Sequence, residues 1–163
     1  MKTREMQNMR RDSRLSVLVL TGLMIAASSH AAEKRISKSA LPPAVAKTAD
    51  EQSTGATVLG YTQDNENGQV QYEVEMTVNG HSKDVSIGPS GQVLEVEEQV
   101  ELSALPAVVV AGLKDKAGHG KITKVESITK HRGIVAYEAQ VSTLGKHSEI
   151  QVGPDGKPLD HEE

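Results

Sequence analysis

The stretch Tyr72–Leu94, YEVEMTVNGHSKDVSIGPSGQVL, returns 65 residues later as Tyr137–Leu159, YEAQVSTLGKHSEIQVGPDGKPL. Seven of these 23 positions are identical without a gap: Tyr72/Tyr137, Glu73/Glu138, Gly80/Gly145, Gly88/Gly153, Pro89/Pro154, Gly91/Gly156 and Leu94/Leu159. Asp84/Glu149, Val85/Ile150 and Ile87/Val152 are conservative matches in the same frame. Upstream, Leu41-Pro42-Pro43-Ala44-Val45 returns as Leu105-Pro106-Ala107-Val108 at an offset of 64, so one small indel separates the two anchors. A repeat outranks any local assignment, because it means one folding unit written twice.

Each copy carries the same local signals. Tyr72, Val74, Met76 and Val78 alternate with Glu73, Glu75 and Thr77, the pattern of a half-buried strand. Tyr137, Ala139 and Val141 repeat it against Glu138, Gln140 and Ser142. Asn79-Gly80 is a hairpin signal, and Asp64 to Gly68 reads as a tight turn on its Asn67-Gly68 pair. Gly88-Pro89-Ser90-Gly91 and Gly153-Pro154-Asp155-Gly156 fit turns with proline second and glycine fourth. The prolines of the Leu-Pro motifs suit a first helical turn. Helices are predicted over Ala44–Ser53 and Ala107–Ala117, ended by Gly55 and Gly118.

The expected fold is α+β: two tandem repeats, each one helix packed on a roughly four-stranded antiparallel sheet. They span residues 41–96 and 105–160, after a short segment 32–40, with 97–104 as a linker forming an extended edge. A unit of ~60 residues is marginal alone, so the halves are expected to pack together.

Composition narrows the function. The chain has 163 residues with no Phe, Trp or Cys and three Tyr, which excludes disulfides and thiolate metal sites. Without basic charge and stacking rings it does not read as a nucleic-acid binder. Met1 to Arg14 has a surplus of three positive charges, Leu15 to Ala27 is apolar, and Ser29-His30-Ala31 supplies small residues at −3 and −1. That is the pattern of a signal peptide, here residues 1–31, cleaved after Ala31. Thirteen apolar residues are too few to span a bilayer of ~30 Å. The expected location is therefore periplasmic or secreted, with no membrane contact after cleavage. Loss of five basic and two acidic residues from totals of 18 and 22 leaves 13 Lys+Arg and 20 Asp+Glu. So acidic a surface favours a basic partner.

The order Leu-Pro-x-x-Val, Gly, Tyr-Glu-Val, Asp/Glu-Val/Ile-x-Ile/Val and x-x-Gly-x-x-Leu resembles the PepSY-like domains. Their fold is similar to the repeats of the secreted β-lactamase inhibitor protein, a helix packed against an antiparallel sheet. The resemblance covers Leu41–Val96 and Leu105–Leu159. It implies an exported binding module that modulates or inhibits a peptidase or another envelope enzyme. Inhibitors of that fold grip enzymes with aromatics on the open sheet face, where this chain offers only Tyr61.

No Gly-x-Ser-x-Gly elbow, Walker loop or Gly-x-Gly-x-x-Gly occurs, and the chain is read as non-enzymatic with no catalytic residue and no cofactor. His81, His119, His131, His147 and His161 lack His-x-x-x-His or Glu-x-x-His spacing and read as loop histidines rather than metal ligands. Asp64 to Gly68 fails the calcium-loop pattern, with Gln63 and Val74 where Asp and Glu are needed. What remains is the sheet face opposite the helices, which would show Glu73, Glu75, Asp84, Glu138, Gln140 and Glu149. These six are the candidate binding residues for an envelope protein or peptide. The alternative is a periplasmic small-ligand or divalent-cation sensor.

Overall fold

The computed structural model describes residues 34–163 apart from Asn67, Arg132 and Glu162, so the expected leader lies outside the described residues. The chain runs β1 (Lys34–Ile36), α1 (Pro43–Gln52), β2 (Thr57–Glu66), β3 (Gln69–Val78), β4 (His81–Ile87) and β5 (Val93–Gln99). It continues through α2 (Ala107–Ala117), β6 (Lys121–Lys130), β7 (Gly133–Thr143) and β8 (Lys146–Val152). Among the described residues no helix is long and apolar enough to cross a membrane.

Both helices start where the prolines place them. Pro43 is the first residue of α1 and Pro106 precedes α2, positions where a missing N–H costs nothing. At its far end α2 is capped by Gly118 at positive φ, whose N–H bonds the carbonyls of Lys114 and Asp115. In α1 the cap is Ser53, not Gly55, and its N–H bonds the Ala49 carbonyl.

The strands form one eight-stranded antiparallel sheet in sequence order, not two sheets of about four strands. The second half supplies three strands and an isolated bridge between Val152 and Pro158. The joint is β5, expected in part as linker and edge. It pairs with β4 on one side and β6 on the other, Glu97 opposing both Asp84 and Ile128. Leu94 and Val96 alternate with Glu95 and Glu97, which an interior antiparallel strand shows as readily as an edge when one face of its sheet is polar. The Asp64–Gly68 turn is also shorter than expected: Asp64, Asn65 and Glu66 are strand, paired with Gln71, Val70 and Gln69.

The helices pack on one face of this sheet over two apolar clusters. The first gathers Leu41, Val45 and Ala49 with Val74, Met76, Val85 and Ile87. The second gathers Val109 and Leu113 with Val125, Tyr137, Ala139 and Val152. Between them the same face carries an ion pair, Lys83 to Glu98 at 3.1 Å. Tyr61 packs against the first cluster, so it is not the exposed aromatic of the open face.

Candidate functional site

Because side chains alternate along a strand, the residues between the core positions all point to the helix-free face. Register then sorts them into rows. One row runs Glu75, Asp84, Glu97, Ile128, Ala136 across β3 to β7. The next runs Glu73, Ser86, Glu95, Lys130. A third runs Thr77, Ser82, Gln99, Glu126, Glu138, Gln151, with the Ser82 N–H donating to Gln99 Oε1 at 3.1 Å. At the far end Lys124, Gln140 and Glu149 share a row.

The structure thus places all six expected residues on one face but brings only some of them together. Glu75 and Asp84 are cross-strand partners, and Glu138 opposes Glu126. Gln140 and Glu149 pair with each other in a different row from Asp84. The sequence reading missed Glu95, Glu97 and Glu126, which lie at the centre. The alternation Leu94-Glu95-Val96-Glu97 carries the signal of the first two, but it falls at the border between repeat and linker.

At that centre one carboxylate oxygen from each of Asp84, Glu97 and Glu126 lies within 4.8 Å of the other two. Glu126 is buried; it accepts a hydrogen bond from Ser82 Oγ at 2.9 Å and is ion-paired with Lys124 at 2.6 Å. The other two hold their protons more tightly than usual. Burial, then the charge on Glu126, pushes Asp84 up to about 6. Burial, then a hydrogen bond and charge from Glu95, pushes Glu97 up to about 9. Cations hold the rim: Arg35 meets Glu75 at 2.7 Å, and Lys130 meets Glu95 at 3.0 Å. Burial opposes the charge on Lys130, and its bonds to Glu95 and Glu163 outweigh that and raise its pKa. Gln151 donates to Glu138 at 2.9 Å. The five described histidines are exposed and outside the acidic centre.

No protein-family model matches the sequence, and no curated protein matches it. Solved structures do match. A DUF2874 family protein from Bacteroides ovatus shares 18% identity at a TM-score of 0.57, covering 74% of this chain and 85% of that one. A Bacteroides eggerthii protein provisionally described as periplasmic shares 17% at 0.58, covering 73% and 86%. A BLIP-like protein from Bacteroides fragilis shares 16% at 0.51, covering 71% and 81%. At these identities the likeness establishes the fold, a BLIP-like α+β arrangement of two helices on an antiparallel sheet.

Proposed function

We propose that the chain is an exported, non-enzymatic binding module of the PepSY-like kind, whose helix-free sheet face docks a basic protein or peptide. Modulation of an envelope enzyme such as a peptidase is the role this suits. The observation that carries it is the crowd of Asp84, Glu97 and Glu126, with Glu75, Glu95 and Glu138 around it. Two of these carboxyls keep their protons beyond the ordinary range, because burial and the surrounding negative charge both favour the neutral form. A lysine or arginine side chain laid across the rows supplies the missing positive charge and gains charge-assisted hydrogen bonds. The basic-apolar-small order of residues 1–31 supports export, as does the described location of the Bacteroides eggerthii neighbour.

The test is titration of a labelled lysine-rich octapeptide into the chain at low and high salt. Replacing Glu73, Glu75, Glu97 and Glu138 by Gln should weaken binding about tenfold or more, and salt should do likewise. An unchanged affinity in that variant removes this face as the docking surface.

One observation favours a second reading, a divalent cation. Oxygens that each sit about 2.4 Å from a calcium ion are at most about 4.8 Å apart, and the three carboxylates meet that span. An ion there would displace the Lys124 ammonium from Glu126. Thermal unfolding with calcium, magnesium and a chelator separates the readings, because a bound ion stabilises by RT ln(1 + [L]/Kd). A chelator-reversible rise that Glu97→Gln abolishes supports the cation, and a flat panel excludes it.

A further inference from the structure

The segment after β8 turns back over the helix-free face. Val152 bridges to Pro158, and the Leu159 side chain lies against Gly153. Beyond it, the Glu163 backbone N–H donates to Gln151 Oε1 at 2.8 Å. The Glu163 carboxylate meets Lys130 Nζ at 3.3 Å, sharing that ammonium with Glu95. Gln151 is on β8 and Lys130 on β6, so Glu163 reaches across β7. Register puts Ala136 of β7 opposite Ile128 of β6, in the row between these two anchors. Both are fully buried although the helices pack on the other face, and neither belongs to the two helix-side clusters.

We propose that the described residues at the end of the chain, Pro158 to His161 and Glu163, form an autoinhibitory strap that closes over the β6–β8 part of the docking face. It covers the Ile128–Ala136 pair and occupies Lys130 and Gln151, so a partner lying across these strands must first displace it. The proposal rests on the docking reading above. The closure is weak by construction: among the described residues Glu163 is tied to the sheet by a hydrogen bond from its N–H and by a Lys130 ion pair whose side chains are 27% and 25% exposed. A binding face open only part of the time loses affinity in proportion to the open fraction. A contact of this strength gives a loss of about threefold to tenfold.

Charge alone predicts the opposite sign. The sequence beyond Leu159 carries Asp160, Glu162 and Glu163, so removing it takes three negative charges from the protein. By electrostatics a cationic peptide should then bind less well; by occlusion it should bind better.

The experiment titrates the same lysine-rich octapeptide into the full chain, into a chain shortened after Leu159, and into Glu163→Gln. Binding about threefold or more tighter in the shortened chain, with Glu163→Gln between, supports the strap. Equal or weaker binding in both overturns it. If the full and shortened chains both fail to bind, the docking reading falls, and the strap is judged by a second measurement. A soluble paramagnetic probe should broaden the Ile128 and Ala136 methyl signals only in the shortened chain. Identical broadening in the two chains overturns the strap whatever the peptide does.

Discussion

The two helices meet the same sheet with the same turns, yet they fit it by opposite choices of side chain. In the first half the helix is slim and the strands are bulky: Ala49 lies over a floor that includes Val74 and Met76. In the second half Leu113 and Ala139 take the places of Ala49 and Val74, a large helix residue clustered with a small strand residue, and the buried Val141 takes the place of Met76. The turns after β4 and β8 are alike down to their bonds. Gly91 donates to Gly88 and Gly156 to Gly153, each at 2.8 Å, and both donors have positive φ. Their helix partners differ. Thr48 of α1 donates to the Gly91 carbonyl at 2.7 Å. The matching residue of α2 is Gly112, where a methyl group would overlap the Gly156 carbonyl. Packing therefore conserves volume across each helix–sheet contact, and not residue by residue between the halves.

The largest way to break this comparison is to give the second half the first half's helix residue. Leu113→Ala should cost about 2–5 kcal/mol, the usual range for emptying a buried leucine site. Adding Ala139→Val should return part of that loss, with a coupling of about 1 kcal/mol between the two changes. Denaturant unfolding of the single and double variants measures it; strictly additive losses would mean that the two positions do not share a volume. Next in size is Gly112→Thr, which installs the α1 residue in α2. Its Cβ meets backbone and not a movable side chain, so helix and turn must separate, at about 1–3 kcal/mol. A Gly112→Thr chain as stable as the parent would show that the turn yields freely and that the close approach is incidental.

How far these fits were legible in the sequence follows from what each depends on. The helix starts at Pro43 and Ala107, the strands through Tyr72 and Tyr137 and the Gly-Pro turns depend on neighbours within a few residues. Local pattern sufficed for them. The side of the sheet that Glu73, Glu75, Asp84, Glu138, Gln140 and Glu149 share was legible for the same reason, since alternation alone assigns a side. The role of β5 was not, because its pairing with β6 sets Glu97 against Ile128 across α2 and leaves no local trace. The Asp84–Glu97–Glu126 centre was lost with it: it exists only once β4, β5 and β6 are adjacent. The exchange of bulk between Ala49/Val74 and Leu113/Ala139 is likewise invisible to a repeat alignment, which sees only unmatched apolar residues.

The halves also differ in how their polar face is compensated, and pH sharpens that difference. Asp84 and Glu97 are crowded carboxyls, whereas the β6 side holds Lys124 and Lys130. An acid whose folded pKa lies above its unfolded value binds its proton more tightly when folded. Its contribution is therefore complete below the unfolded pKa and is lost as pH rises through the folded one. Stability should fall from about pH 4 to about 6 through Asp84, and on toward about 9 through Glu97. The slope is at most about 1.4 kcal/mol per pH unit for each proton. Glu97→Gln should flatten the upper part and raise stability at pH 8 by about 1–2 kcal/mol, with little change at pH 4. A parent chain that grows more stable between pH 6 and 9 would show that the centre is already neutralised.

The smallest effect tests the first half's side of the helix–turn contact. Thr48→Val keeps the shape of the side chain and removes its donor, leaving the Gly91 carbonyl short of one partner. The expected loss is about 0.5–1.5 kcal/mol, a drop of a few degrees in the unfolding midpoint for a chain of this size. Thr48→Ser should retain most of the stability, because the hydroxyl remains. The contact is only part-buried, so water can replace the threonine and keep the loss near the lower end. Compared with Gly112→Thr, this pair separates two mechanisms. If Thr48→Val is silent while Gly112→Thr is costly, close backbone approach holds both turns and the threonine merely fills space. If both are costly, the halves hold one turn in two ways: a hydroxyl bridge in α1 and direct contact in α2.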